Sequence, residues 1–588
     1  MKRLQIYFTL IFLSIAVFAS CDLITGYIVP ENYGDVVEET LPGDQAVILG
    51  DKFGIIPTLS NVAEALKADG RETGALHATA YYVRFNPKTG SQLLDVMAGG
   101  VHLSEVPFDR NISTLGTWYR DPSASDAVPT YQYAVLSKDE WDRYQNSVLL
   151  SWTLLAELCM PDPDRAGATG VPDDWYESAL ESWCGRNQVS GHLVESGDWW
   201  TPEGTVMAWD STAMRMVPVK GVEVEIRHLL RVRTAVTDEN GRFRSPGAFR
   251  GDVSCRVYWR SGGSAGWSVR AGSSQAFFEA SGPFGPGEAC DIEVPGGNTY
   301  SAHHSLMYRA AYRAFMEDSF GLSLQMKGRL GRPLFLCYVH GTLDHGEGAT
   351  TLPNVNPGVV PEIRVSGKSL SEWMPQDKFF CVTCHELGHV AHYLATSSDY
   401  FHTDSVIKEG WAQFVRYFLG EGEYRSLGAM PQFIGTWYAL PGWTYKDSGG
   451  LLKTAWNGAT VEMLQAAGVS PRHYWGEEVS DGSGKTVRLF DNPFNGKSMQ
   501  SYRTEDFLVD FYDDIDQSVY FNGTGTSNDG KAPDTVSGYT VLEIRDIVWK
   551  SHTLNDIYTY LVNAASAHGT MAGAIEDIFN NYGLDYTQ

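Results

Sequence analysis

The sequence predicts a multidomain α+β protein, and three observations lead to this fold class. The chain has 588 residues, enough for three or four domains. Apolar residues alternate with polar ones in its middle part, as in strands, with Val222, Val224 and Ile226 on one face and glutamates on the other. Further along, apolar residues recur at helical spacing, for example from residue 380 to residue 394.

Composition limits the classes of partner. With 45 basic and 71 acidic residues, the chain has a formal net charge of -26. Such a charge argues against nucleic acid and against an anionic membrane surface as partners. We therefore expect no nucleic acid partner.

The N-terminus predicts export and a lipid anchor. Lys2 and Arg3 precede an apolar run, residues 4–18, that is too short and wrongly flanked for a membrane-spanning helix. Ala19 and Ser20 directly before Cys21 resemble a bacterial lipoprotein signal, which implies removal of residues 1–20 and lipidation of Cys21. The alternative is an ordinary signal peptide. The lipoprotein interpretation places the protein in the bacterial cell envelope, anchored to a membrane, at the outer membrane or the cell surface.

Residues 21–150 are expected to form an N-terminal α+β domain of unknown role. A helix is predicted over 59–68, and strands over 78–85 and 130–136. Residues 151–191 are interpreted as a connector that contains a short helix around 174–183.

Residues 192–298 are predicted to be β-rich. The alternating run at 222–226 is one strand, and residues 237–243 place a tight turn between two others. Together with residues 218–222, this segment resembles the carboxypeptidase regulatory-like domain, an Ig-like β-sandwich that serves as an accessory module without catalysis in other proteins. Several cysteine pairings are open: Cys159 with Cys184, Cys255 with Cys290, and Cys337 with Cys381 or Cys384.

Residues 299–588 are expected to form the last domain of the chain. Thr299 is a suitable N-cap for a helix over 301–316, and strands follow at 334–339 and 363–365. The strand at Ile363 is interpreted as the sheet edge that pairs with an extended substrate. Apolar residues at helical spacing after residue 540 predict a helical C-terminal half.

The motif with the clearest chemistry lies in this last region. His385 and His389 are four residues apart, so they share one face of a helix and can reach one metal ion. Glu386 lies between them and can act as a general base. Glu409, in a second predicted helix over 404–420, would supply a third ligand, and small Ala412 would let another backbone approach. Two histidines and one glutamate leave zinc an open position, as in a catalytic site.

These residues resemble the gluzincin zinc metallopeptidases, on His385, Glu386, His389 and the Glu-x-x-Ala pattern at Glu409. The metzincin pattern fails because Ala395 stands where its third histidine would be. The resemblance implies a zincin-like domain with a mixed sheet and an active-site helix. It also implies one zinc ion per chain, bound by His385, His389 and Glu409, with Glu386 as the base. Gln413 departs from the family, since thermolysin-like enzymes have an acidic residue there.

A peptidase of this kind also needs a donor for the oxyanion that forms during hydrolysis. The resemblance places a Tyr or His further along the chain, and His473 and Tyr474 are the candidates, with Tyr400 and Tyr438 as alternatives. We therefore expect a zinc-dependent peptidase that acts on extracytoplasmic proteins. The alternative is an inactive zincin-fold lipoprotein that binds proteins or glycans.

Overall fold

A computed structural model describes residues 46–429, 507–512 and 536–587, together with four short strands between residues 444 and 488. Within these ranges it leaves out residues 54–55, 75, 125–128, 147–150, 163–167, 187–197, 262–265, 281, 318–333, 341–342, 344–347, 352–361, 370–371 and 582–583. The predicted lipidation site Cys21 and the predicted oxyanion donors His473, Tyr474 and Tyr438 lie outside the described residues. In the described part, no helix combines the length and the apolar character needed to cross a bilayer.

The N-terminal region, residues 46–186, contains two small sheets with helices packed around them. Its elements are β1 (Ile48–Lys52), α1 (Leu59–Ala68), β2 (Ala80–Phe85), α2 (Gly90–Ala98), β3 (Arg110–Thr114), β4 (Gln132–Leu136), α3 (Lys138–Tyr144), β5 (Trp152–Leu158) and α4 (Asp173–Arg186). Strands β4, β2 and β5 form one antiparallel sheet, and β1 pairs with β3. The helix predicted over 59–68 is confirmed, and the Thr58 side chain caps it by accepting from the backbone N–H of Asn61.

Strands dominate from residue 203 to residue 294. They are β6 (Glu203–Asp210), β7 (Arg215–Pro218), β8 (Val222–His228), β9 (Arg231–Val236), β10 (Arg242–Arg244), β11 (Ser254–Ser261), β12 (Trp267–Ala271), β13 (Ser274–Gln275), β14 (Phe277–Glu279) and β15 (Ile292–Val294). The predicted turn joins β9 to β10, and Gly241 adopts φ +74° there. Glycine reaches this left-handed region without the steric cost that a side chain adds.

The rest of the described chain alternates helices with short strands and ends in helices. Its elements are α5 (Tyr300–Tyr312), a π-helix (Arg313–Glu317), β16 (Leu334–Val339), β17 (Gly348–Thr351), β18 (Glu362–Ser366), β19 (Lys368–Ser369), β20 (Glu372–Trp373), α6 (Gln376–Thr396), a 3-10 helix (Ser397–His402), α7 (Ser405–Ser426), β21 (Thr444–Lys446), β22 (Leu452–Thr454), β23 (Glu478–Ser480), β24 (Thr486–Arg488), α8 (Phe507–Asp510), α9 (Val541–Lys550), α10 (Leu554–Ala565), a 3-10 turn (Ser566–His568) and α11 (Ala572–Asn581). Thr299 caps α5 as predicted, and α7 continues past the expected end at Gly420.

One large sheet connects the β-rich segment to the region that carries the motif. Its main strand order is β17-β18-β16-β12-β11-β8-β9. Strands β12, β16 and β18 run parallel, whereas β17 is antiparallel to β18. The protein is therefore a mixed α+β protein, as predicted. The domain boundary between residues 298 and 299 stays a prediction, and strands from both sides of it share this sheet.

Both faces of strand β8 are covered. Val222, Val224 and Ile226 are fully buried in the main core, which confirms the predicted alternation. On the other face, His102 of the N-terminal region lies 2.9 Å from a carboxylate oxygen of Glu223 and 2.6 Å from one of Glu225. Burial would raise the pKa of Glu223, but Arg260 and His102 outweigh burial and lower it to about 2. Buried ion pairs therefore connect the N-terminal region to the sheet.

Among the described side chains, the cysteines considered for pairing are free thiols, and the side chain of Cys184 lies outside that description. Cys159, Cys255, Cys290, Cys337, Cys381 and Cys384 are all buried and unbridged. Cys337 interacts with Glu362, Arg364 and Arg270, whereas its neighbour Tyr338 packs on Phe379 of α6. Because successive strand residues point to opposite faces, Cys337 faces away from Cys381 and Cys384. Cys255 and Cys290 do lie in contact, as a hydrogen-bonded thiol pair.

Two buried histidines of α5 pack against the sheet. His303 and His304 are fully buried, and both rings contact Tyr338 on β16. Neither nitrogen of His304 has a hydrogen-bond partner among the described residues. Burial lowers the pKa of His303 to about 4 and holds that of His304 well below its usual value. Both rings are therefore neutral in the folded protein at pH 7.

We expect these histidines to make the fold sensitive to acid. Between about pH 6.5 and pH 4 the unfolded chain binds protons that the folded chain refuses, so the free energy of unfolding falls as the pH falls. The loss reaches about 1.4 kcal/mol per pH unit for each such histidine. Urea unfolding of the wild type and of His304→Phe at pH 7, 6 and 5 measures this slope. The slope should be smaller in His304→Phe and unchanged in His402→Gln, an exposed control; equal slopes in all three proteins would contradict the assignment.

Candidate metal site

Helix α6 carries the first three residues of the site. It begins after Pro375 and buries nearly its whole length, including His385, Glu386 and His389. His385 and His389 are one turn apart, with ring centroids separated by 5.0 Å. A helix buried on most sides holds polar groups at a cost unless they bind something, so these three side chains need partners.

Helix α7 lies directly against α6 at two small residues. A Cβ atom on Gly388 would lie 2.9 Å from the Cα atom of Ala412, so any larger residue than glycine would push the two helices apart. The indole N–H of Trp411 donates to the Gly388 carbonyl oxygen at 3.1 Å. The close approach expected from Ala412 is therefore confirmed, and it brings Glu409 toward the two histidines.

His385, His389 and Glu409 converge on one point. Nε2 of His385 lies 3.3 Å from Oε2 of Glu409, and Nε2 of His389 lies 3.5 Å from Oε1. One ligand atom from each of the three residues lies within 4.8 Å of the others, so the group can hold a metal ion. Nε2 of His389 is buried, and its 3.5 Å distance from Glu409 is longer than a normal hydrogen bond, as expected for two ligand atoms that face one metal position.

Uncharged side chains hold the far nitrogens of both histidines. Nδ1 of His385 lies 3.1 Å from Oε1 of Gln413, and Nδ1 of His389 lies 3.1 Å from the hydroxyl of Tyr400. Such partners fix the orientation and tautomer of a metal-binding imidazole. Tyr400 contacts the nitrogen that faces away from Glu409, a position suited to orienting His389. Its alternative assignment as an oxyanion donor stays a prediction.

The carboxylate of Glu386 is anchored to strand β17. The hydroxyl of Thr350 donates to Oε2 of Glu386 at 2.5 Å. A Cβ atom on Gly348 would collide with Oε1 of the same carboxylate, so glycine leaves the space that Glu386 occupies. Only 1% of Glu386 is exposed. Strand β17 therefore forms one wall beside this carboxylate.

The interpretation of the Ile363 strand as the sheet edge is wrong. That strand, β18, lies between β16 and β17, and the outermost described strand at this end is β17. Sequence reasoning missed strand β17 and Thr350 because the segment Gly-Ala-Thr-Thr lacks the alternation of apolar residues that identifies a strand. The one available signal was its position between two strands and just before the motif.

Two further histidines near the motif lie outside the metal group. His392 is fully buried one turn beyond His389, with its ring edge-to-face against Tyr400. Burial lowers its pKa to about 3, so the ring is neutral and acts as packing. His340 packs edge-to-face on Tyr300 at 4.3 Å between centroids, and nearby His345 lies outside the described residues.

Comparison with known proteins adds no relative. No known protein family matches this sequence, and no curated protein is significantly similar to it. The geometry of the described residues is therefore the basis for any functional proposal.

Proposed function

We propose that this chain is a zinc-dependent peptidase of the gluzincin type that hydrolyses peptide bonds of extracytoplasmic proteins. The observation that carries the proposal is the convergence of His385, His389 and Glu409, with ligand atoms within 4.8 Å of one another. Two imidazoles and one carboxylate are the donor set of catalytic zinc sites with an open position. A bound zinc ion would supply Lewis acidity toward a carbonyl oxygen and toward water.

The residues around this donor set fit its proposed role. The buried Nε2 of His389 supports a metal position there, because it faces the Glu409 carboxylate at 3.5 Å without forming a hydrogen bond to it. Burial would raise the pKa of Glu409, but the nearby imidazoles of His389 and His385 outweigh burial and hold it below its usual value. Glu409 therefore offers an ionised carboxylate to a cation at neutral pH.

Glu386 is the proposed general base. Glu386 directly follows the ligand His385 in α6, and the Thr350 hydroxyl donates a hydrogen bond to Oε2 of its carboxylate. In this role the carboxylate accepts a proton from a water molecule as the water attacks the scissile carbonyl carbon. The same carboxyl group then gives that proton to the amine nitrogen as the C–N bond breaks, so the proton balance closes within one residue.

Strand β17 is the proposed binding edge for the substrate backbone. Among the described strands, nothing pairs with its outer side. The backbone groups of an edge strand can pair with an extended peptide. A peptide bound in this way would pass the Glu386 carboxylate, because β17 also carries Thr350. A lipid anchor at Cys21 would place this site in the bacterial cell envelope.

Two substitutions test the proposal on the soluble chain from Asp22 onward. We expect about one zinc ion per chain in the wild type and in Glu386→Gln, and little in His389→Ala. Peptide-library hydrolysis should fall by roughly 100- to 10,000-fold in Glu386→Gln, the usual contribution of a general base. Metal content by inductively coupled plasma mass spectrometry and cleavage by mass spectrometry give both results. Full activity in Glu386→Gln would refute the mechanism. A folded wild type that binds no zinc when zinc is supplied in excess would favour the inactive binding protein.

A second prediction concerns the Thr350 hydroxyl. Thr350→Val keeps the shape and removes the hydrogen bond to a charged group, which is worth about 1.5–3 kcal/mol. We expect kcat to fall by roughly 10- to 100-fold, with KM within about twofold and zinc content unchanged. Thr350→Ser should restore most of kcat, because the hydroxyl returns. If Val and Ser lower kcat equally, the hydroxyl does not position Glu386.

A further inference from the structure

A cavity of about 890 Å³ lies in the N-terminal region, away from the metal site. It opens between strands β1 and β3 on one side and the sheet β4-β2-β5 on the other. Its volume is within the range of pockets that bind small molecules. Apolar side chains, Phe53, Ile56 and Leu155, form part of its wall.

Two arginines on this wall have no carboxylate partner. Arg84 stacks on the ring of Tyr131 at 4.6 Å, and Nη1 of Arg110 donates to the Gly50 carbonyl oxygen at 3.2 Å. Neither guanidinium forms an ion pair in the described part of the chain. In the interior, by contrast, Arg270 and Arg309 each have a carboxylate oxygen within 3.0 Å. Half-buried guanidinium groups without a counter-charge are unusual in a chain with a net charge of -26.

The two carboxylates in the cavity are already engaged. Asp109 accepts from the Tyr82 hydroxyl at 3.0 Å and lies 3.4 Å from Nζ of Lys52. Asp121 accepts from the backbone N–H of Ser123 at 2.8 Å and from its hydroxyl at 2.6 Å. Neither carboxylate pairs with Arg84 or Arg110. The cavity lining keeps an excess of positive charge, because it contains Lys52, Arg84, Arg110 and Arg120 but only two acidic residues, Asp109 and Asp121.

A tyrosine hydroxyl completes the set of donors. Tyr119 is only 5% exposed and lines the cavity, and its hydroxyl has no hydrogen-bond partner among the described residues. Burial raises the pKa of Tyr119, so the hydroxyl remains a neutral donor. Because Tyr119 lines the cavity, its hydroxyl can donate to a ligand bound there.

We propose that this cavity is a binding site for a carboxylate-bearing organic ligand. The planar guanidinium groups of Arg84 and Arg110 match a carboxylate in two-point geometry, and Tyr119 donates a further hydrogen bond. The apolar wall receives the organic part of the ligand, which distinguishes it from an inorganic anion. Either a small dicarboxylic acid or the acidic side chain of a short peptide presents this chemistry. The site does not depend on the proposed peptidase activity.

Isothermal titration calorimetry on the chain from Asp22 onward tests the proposal. The probes are glutarate and a capped Leu-Glu-Leu tripeptide, each beside its amide analogue, glutaramide or the Leu-Gln-Leu peptide. We expect one carboxylate probe to bind with Kd below about 1 mM, and its amide analogue to bind at least tenfold more weakly. The better of the two probes identifies the source of the carboxylate. Inorganic phosphate is the control for simple charge attraction.

Variants assign the binding to the cavity. Arg84→Gln and Arg110→Gln should each weaken binding at least tenfold, and Tyr119→Phe roughly threefold. Arg244→Gln removes the same charge at an exposed position and should change nothing. Arg84→Lys keeps the positive charge but lacks the planar guanidinium group, and it is the control for loss of binding through misfolding. Thermal melting of each variant is a second check that it folds. The proposal fails if no carboxylate probe saturates, if the amides or phosphate bind equally well, or if both glutamine variants bind like the wild type.

Discussion

The contact between helices α6 and α7 is the constraint on which the metal site depends. His385 and His389 belong to one helix and Glu409 to the other, so the distance between the helix axes sets the distances among the three ligands. That distance is as short as the backbone allows, because Gly388 lies against Ala412 without a side chain between them. The Trp411 hydrogen bond to the Gly388 carbonyl fixes the relative height of the two helices. Coordination bonds to zinc are near 2.0–2.2 Å, so a packing contact decides whether the site can form.

A second contact fixes the base relative to the cleft wall. Gly348 and Thr350 are two residues apart in β17, so both face the same side of the sheet. One leaves room for the Glu386 carboxylate and the other donates a hydrogen bond to it. The strand proposed to bind the substrate and the group proposed to move the proton are therefore one mechanical unit. A displacement of β17 would move Glu386 as well, which links substrate pairing to the geometry of the base.

Local patterns allowed part of this structure to be predicted from sequence. The histidine pair, the capped helix at Thr299 and the strand at 334–339 each have a periodicity or a cap that needs no knowledge of distant residues. Strand β17 has neither, because its small and polar residues are positioned by their contacts with Glu386, a residue distant in sequence. The alternation at 222–226 predicted one buried face correctly. It did not predict that Glu223 and Glu225 would be buried too, because this depends on His102, more than a hundred residues away.

The burial of those glutamates explains how the N-terminal region is held. Its contact with the sheet combines ion pairs with apolar packing. The ion pairs include His102 with Glu223 and Glu225, and Arg270 with Glu105, and the apolar packing places Val47, Val106 and Tyr119 against Tyr258 and Phe277. Buried ion pairs add little net stability, but the loss of one partner costs about 3–5 kcal/mol because a charge stays buried alone. Any shifted orientation of the region would leave several charges unpaired at once. The ion pairs therefore fix the orientation of the region, the apolar cluster supplies the stabilising burial, and together they hold the N-terminal cavity in a fixed position relative to the large sheet.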